Sequence, residues 1–215
     1  MIKALIFDCW GTLFTSSLQP HPFELFAQKI GYNIKDRDFL KLFENHVMAN
    51  HNPVSNNVAS LLSELKINAN PDLINELTNI ILSSLHAQIP YDDTIKTLND
   101  LKNEYRLILL SNTFKEGFVN LKNNYPIDGL FELAVLSYEE NIIKPNSKLY
   151  KIIFDKTGLN KDEVIMIGDN YHDDIIAARD SGIRAILLDR RGRYPEIIDN
   201  KISNLAELKQ KLINY

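Results

Sequence analysis

A chain of 215 residues with 45% hydrophobic and 24% charged residues has the composition of a soluble globular protein with a full-sized core. Its net charge of −4 excludes the basic stripe that a nucleic-acid partner demands, and no apolar run has the length of a membrane span. One cysteine excludes an internal disulfide, and Met1 leads into a strand pattern rather than a secretory leader, so the expected compartment is the cytoplasm.

The chain opens on the apolar run Ala4-Leu5-Ile6-Phe7, which stops at Asp8. So short a continuous run predicts a strand buried on both faces, as in a parallel sheet. Trp10-Gly11-Thr12 then reads as a tight turn. Cys9 has no histidine beside it in the sequence and is expected to be a buried, inert thiol.

Residues 15–88 read as helical throughout, with no strand signal. Phe23, Phe26 and Ile30 have helical spacing, as do Phe39, Phe43 and Val47, then Val58, Leu61, Leu62 and Leu65. The longest stripe runs from Leu73 to Leu85. Breaks fall at Gly31-Tyr32-Asn33, Asn52-Pro53 and Asn70-Pro71. Four helices with one apolar stripe each predict a small bundle inserted after the first strand.

From residue 90 helix and strand signals alternate. A helix through Ile95, Leu98 and Leu101 is expected to be capped by Asp92 or Asp93. Strands are predicted at Leu107–Leu110, Leu133–Leu136, Val164–Ile167 and Ala185–Leu188. Helices are predicted around Lys115–Asn123, after Lys144-Pro145, from Ile175 to a stop at Gly182, and from an Asn204 cap through Leu212. This alternation predicts an α/β fold, a doubly wound parallel sheet of Rossmann-like type. The basic cluster Arg190-Arg191-Gly192-Arg193 reads as a solvated loop, with a phosphate contact as the alternative.

Parallel strands bring their carboxyl ends to one sheet edge, where ligands of such sheets bind. Asp8, Ser111-Asn112, Lys144 and Asp169 follow separate β elements and so meet there. Their chemistry is coherent. A carboxylate can act as a nucleophile. Ser111 and Asn112 can donate hydrogen bonds to oxygens that gain charge. Lys144 adds a fixed positive charge, and Asp169 with Asp173 and Asp174 offers hard oxygen ligands for Mg²⁺. Unpaired, Asp169 would repel Asp8, and a cation is the simplest relief. The plainer alternative makes Asp169 and Ser111-Asn112 helix caps and Lys144 a solvated loop lysine.

Taken together, Asp8-Cys9-Trp10-Gly11-Thr12-Leu13, Ser111-Asn112-Thr113, Lys144-Pro145 and Gly168-Asp169-Asn170-Tyr171-His172-Asp173-Asp174 resemble, in order, the four motifs of the haloacid dehalogenase-like hydrolases. The resemblance implies an α/β core of residues 1–14 and 89–215 and a helical cap of residues 15–88. It also implies a sheet in the order fifth-fourth-first-second-third and a site between core and cap. By it, Asp8 is the nucleophile, Ser111 and Asn112 bind the transferred group, and Lys144 holds the charge. Asp8, the backbone carbonyl of Trp10, Asp169 and one of Asp173 or Asp174 hold Mg²⁺. Trp10, Gly11, Thr12, Thr113 and Asn170 are the implied substrate contacts. The implied partner is a small molecule, with a monomer as the default and a dimer as the alternative. Hinges for cap motion are expected near Thr15-Ser16 and Pro90-Tyr91.

One position departs from the phosphatase pattern. Phosphatases of this kind carry a second Asp two residues after the nucleophile, as proton donor and later base. Here it is Trp10, which donates but does not titrate usefully. The 2-haloacid dehalogenase branch has an aromatic there, and Tyr150, Asn170 and Asp173 also match it. That branch uses no metal, lacks an Asp at position 169, and takes an Arg from the cap, where Arg37 fits poorly in register. The expected activity is therefore that of a Mg²⁺-dependent phosphatase of a small phosphorylated metabolite. A dehalogenase and a weakly active binding protein are the alternatives. One of the histidines of residues 15–88, His21, His46, His51 or His86, could stand in for the missing acid.

Overall fold

The structure is a computed structural model describing residues 1–127, 129–213 and 215. In chain order it runs β1 (Ala4–Phe7), β2 (Phe14–Ser16), α1 (Pro22–Lys29), α2 (Arg37–Phe43), α3 (Val54–Glu64), α4 (Pro71–Ser83), β3 (Gln88–Pro90) and α5 (Thr94–Leu101). It continues with β4 (Arg106–Ser111), α6 (Lys115–Asn124), β5 (Leu133–Leu136), α7 (Ser137–Glu140), α8 (Lys148–Thr157), β6 (Val164–Gly168), α9 (Ala177–Asp180), β7 (Arg184–Leu188), β8 (Lys201–Ile202) and α10 (Leu208–Leu212). A π-helical turn, Glu44–Met48, prolongs α2, and another, Tyr171–Ile176, leads into α9.

Six strands form a parallel sheet in the order β5-β4-β1-β6-β7-β8. The period of two sorts each strand onto two cores. Leu5, Phe7, Leu107, Leu109, Ile165 and Ile167 face Leu98 of α5, Leu121 of α6 and Leu208 of α10. Ala4, Ile6, Ile108, Leu110, Val164 and Met166 face Leu149 and Ile153 of α8 and Ala178 of α9. Helices thus cover both faces, which is why the strands read as unbroken apolar runs. The sheet gains one strand that the sequence reading lacked: β8 has only two residues, too few for a pattern.

The segment between β2 and β3 packs around its own core. Phe26, Phe39, Phe43, Leu61, Leu62, Leu77 and Ile81 are all buried there, joined from outside by Phe114. The Phe43 ring lies 5.1 Å from that of Phe23 and 5.2 Å from that of Phe26, in tilted and edge-on geometry. Residues 15–88 are not wholly helical, however. Thr15 and Ser16 pair antiparallel with Ile89 and Gln88, and Phe14 pairs with Pro90. A three-residue strand has no period to read, and its partner is remote in sequence. Asp93 precedes α5 but gives it no side-chain cap; its carboxylate accepts from Arg190 and from the Leu205 backbone N–H instead.

Candidate active site

The carboxyl ends of β1 and β6 carry the two central acids. Asp8 extends β1 by one more rung, its N–H donating to the Ile167 carbonyl (2.9 Å). The chain then doubles back sharply, with Leu13 N and Phe14 N both donating to the Cys9 carbonyl. Asp169 follows β6 directly. Asn170 caps the next turn, its Oδ1 accepting from His172 N and Asp173 N (3.1 Å each). That turn swings Asp174 back beneath the sheet edge, where its Oδ2 accepts from Asn170 N (3.0 Å).

Lys144 joins the acids. Its Nζ donates to Asp8 Oδ1 (2.5 Å) and Asp174 Oδ1 (2.6 Å), and all three residues are at most 5% exposed. Carboxylate oxygens of Asp8, Asp169 and Asp174 lie within 4.8 Å of one another. Two glycines allow this crowding. Gly11 sits at φ +85°, where a Cβ would collide with the Asp169 carboxylate; a Cβ at Gly168 would collide with that of Asp174.

Burial sets the electrostatics. It raises the Asp8 pKa, against the opposing charge of Lys144, and Asp169 adds to the rise. Burial likewise pushes Asp169 and Asp174 up to about 6. Desolvation works against the Lys144 charge, but Asp174 and Asp8 outweigh it and hold its pKa well above the usual value. Asp8 Oδ2 is buried and accepts no hydrogen bond among the described residues. An orphaned carboxylate oxygen in a dry site is costly unless a ligand takes it.

A cavity of about 410 Å³ opens onto this cluster. Asp8, Lys144, Asp169, Asn170, Asp173 and Asp174 line it, with Trp10, Gly11, Asn112 and Thr113. Asn112 Oδ1 also accepts from the Lys144 backbone N–H (2.8 Å), fixing that loop. Ser111 and Thr12 are buried behind the wall, and neither lines the cavity. Trp10 meets Phe14 edge-on at 6.4 Å, and with Phe23 and Phe114 these rings make one wall aromatic. Tyr150 is buried, its hydroxyl turned toward the Asp174 carbonyl at 3.4 Å. Cys9 is buried and its thiol pKa is raised well above normal by desolvation, so it is unreactive.

Several residues here were not singled out by the sequence. Lys41, from α2, donates to Asp173 (2.9 Å), to the Lys144 carbonyl (3.1 Å) and to Glu44 (3.2 Å). The helical segment therefore sends a lysine into the site, while Arg37 is exposed and off the cavity wall. With Asp173 committed to Lys41, Asp174 is the acid that joins Asp8 and Asp169. The basic loop is exposed from Arg191 to Arg193, as expected, but two of its arginines are paired. Arg190 forms a partly buried pair with Asp93 (2.8 Å), and Arg193 bonds Asp169 (2.5 Å). Asp169 thus already has a cation beside it, so relief of repulsion alone does not demand a metal. Among the histidines of residues 15–88, only His21 lines the cavity.

Residues 2–182 match the family described as haloacid dehalogenase-like hydrolase. The chain belongs to that family. Among curated relatives of this haloacid dehalogenase-like hydrolase is a glyceraldehyde 3-phosphate phosphatase of Methanothermobacter thermautotrophicus, 31% identical over 46% of this chain. The match spans 44% of that relative, less than half its length. A solved structure of a phosphatase from Thermococcus onnurineus superposes with a TM-score of 0.67 at 22% identity, covering 98% of each chain. A 2-haloacid dehalogenase from Pseudomonas syringae gives 0.66 at 19% identity, covering 100% of this chain and 99% of the other. The two structural likenesses establish a shared fold and leave the chemistry open.

The donor set fits Mg²⁺. Three carboxylates supply hard oxygens close together, and the Asp8 carboxylate has an oxygen, Oδ2, that is buried without a hydrogen-bond partner among the described residues.

Proposed function

We propose that this hydrolase is a Mg²⁺-dependent phosphatase of a small phosphorylated metabolite, working through an aspartyl-phosphate on Asp8. The carrying observation is the buried, unpartnered Asp8 Oδ2 beside Lys144 and the Asp169–Asp174 pair. The phosphatase relative supports the same reading.

Lys144 donates to Asp8 Oδ1, which favours the charged carboxylate that attacks. The Asp8 oxygen bonds to phosphorus as the ester oxygen departs with its electron pair. The Trp10 indole does not titrate usefully, so the departing oxygen takes its proton from water. A second water then attacks phosphorus as the Asp8 oxygen–phosphorus bond breaks, its proton passing to the hydroxide left by the first, which releases phosphate and restores the Asp8 carboxylate. Asn112 and Thr113, on the wall, are the proposed donors to the phosphoryl oxygens, with Ser111 behind them. Bound Mg²⁺, held by Asp8, Asp169, Asp174 and the Trp10 carbonyl, would offset charge on those oxygens. Residues 15–88 act as the cap, and the protein is expected to work as a monomer in the cytoplasm.

Phosphate release from a panel of small phosphoesters, with Mg²⁺ and then with EDTA, tests this, with Asp8→Asn as the blank. Turnover that needs both metal and Asp8 is the expected result; full activity in Asp8→Asn sinks the mechanism. A 2-haloacid dehalogenase is the second reading. It is favoured by Trp10, since halide leaves without a proton, and by Arg193, which gives Asp169 a counter-ion without metal. It predicts halide release from 2-haloacids that EDTA leaves untouched.

A further inference from the structure

The loop after β7 is fastened on both sides of a single arginine. On one side Arg190 donates to Asp93 (2.8 and 3.0 Å) and to the Thr12 carbonyl (3.0 and 3.2 Å), and it lies 4.0 Å over the Tyr91 ring. On the other, the buried Asp189 carboxylate accepts from Arg193 N (2.8 Å) and Tyr194 N (3.0 Å), and the Arg193 side chain bonds Asp169. Gly192, at φ +63°, makes the turn between them. Arg191 is presented on the cavity wall by this frame.

Arg191 differs from the other cations here. Lys144 is neutralised by Asp8 and Asp174, Lys41 by Asp173 and Glu44, and Arg193 by Asp169. Arg191 has no carboxylate within ion-pair distance among the described residues. Arg191 is exposed where it lines the cavity, and a guanidinium there without a counter-ion is open to an anion.

His21 lines the same cavity, within reach of the Arg191 charge. Its Nδ1 accepts the Phe23 N–H (3.1 Å), which leaves the proton of the neutral ring on Nε2. Burial lowers its pKa, against the pull of Glu24, and Arg191 lowers it further. The neutral ring thus has a fixed N–H to offer and no free nitrogen to take a proton. It is a donor to an oxygen rather than a stand-in for the acid missing at Trp10.

We propose that Arg191 and His21 form a second anion subsite, and that the substrate is a small phosphoester carrying a further carboxylate or phosphate. The phosphoryl end of this assignment rests on the phosphatase reading; the subsite itself does not.

Three probes of equal carbon length test it: propyl phosphate, 3-phosphooxypropanoate and propane-1,3-diyl bisphosphate. A charge-assisted bond lost from the first predicts that kcat/KM favours one of the doubly anionic probes by about 30-fold. Which of the two is favoured names the anion. In Arg191→Ala that ratio falls to near one, and Arg191→Lys restores part of it. A wild-type protein that does not discriminate, or a ratio that survives Arg191→Ala, overturns the subsite. Calorimetric binding of the same probes to Asp8→Asn separates the two claims. Preference for the second anion in binding, lost with Arg191→Ala, upholds the subsite even where no ester is turned over, and then the phosphatase reading alone falls. Equal binding of all three probes overturns the subsite.

Discussion

Arg193 holds Asp169 twice, donating to its carboxylate at 2.5 Å and to its carbonyl at 2.9 Å. The acid proposed to hold Mg²⁺ therefore carries a guanidinium, 44% exposed, that can be displaced into solvent. Arg193→Gln removes the competitor. An exposed pair of this kind contributes about 1 kcal/mol, so the calorimetric Kd for Mg²⁺ is expected to tighten about fivefold. A Kd that stays the same or weakens shows that the arginine does not oppose the metal.

Asp169 and Asp174, with pKa values of about 6, bind protons more tightly in the fold than an unfolded carboxyl does. The folded state then holds more protons between about pH 4 and 6, and stability falls as pH rises through that window. For the Asp174 shift the loss is roughly 3 kcal/mol. Metal-free protein is expected to melt lower at pH 7.5 than at pH 4.5, and Mg²⁺ to close most of the gap. Thermal melts with Mg²⁺ and with EDTA at both pH values decide it; a metal-free melting point that rises with pH contradicts the assignment.

Lys144 is the only positive group bonded to Asp8 and Asp174 among the described residues. Lys144→Met leaves two buried carboxylates facing each other. Breaking a buried pair this way costs about 3–5 kcal/mol. Denaturant titration should show that loss at pH 7 and a smaller one at pH 5, where a carboxyl takes up a proton. Equal losses at both pH values would mean that packing, not charge, is what the lysine supplies.

Trp10 lies on the cavity wall next to Asp8, where a proton donor is wanted for an alkyl leaving group. General acid–base groups contribute about 10²–10⁴-fold, so Trp10→Asp is expected to raise kcat on an alkyl phosphate by tenfold or more, short of that full range. Activity on an aryl phosphate, whose leaving group needs no proton, should gain far less. No gain on the alkyl ester, with the fold intact, favours the dehalogenase or binding reading.

The sheet was legible because β1, β4, β6 and β7 are covered on both faces, which leaves Leu107–Leu110 or Val164–Ile167 unbroken by polar residues. Asp8 and Asp169 were legible because parallel topology brings strand ends to one edge; Lys144 was legible from the family resemblance, which left Asp173 and Asp174 as alternatives. The Phe14–Ser16 and Gln88–Pro90 pairing was not, since its pattern exists only across a long stretch of intervening chain. Lys41 was hidden for a different reason: it sits on the polar side of an amphipathic helix, where a lysine ordinarily faces water. Arg191 and Arg193 did carry a signal. They follow β7, at the same sheet edge as the acids, so an exposed loop there still reaches the site.

The Phe14–Ser16 and Gln88–Pro90 ribbon makes residues 17–87 the loop of a hairpin. The two chain crossings stand one strand spacing apart, about 5 Å, whatever lies beyond them. The core is therefore indifferent to the length of what it carries there, and the helical segment is an exchangeable cassette on a fixed stem. A different set of helices could be fitted to that stem without disturbing the register of β1 against β4 and β6. Lys41 and His21 would go with the old cassette, and Asp8, Lys144 and Arg191 would stay.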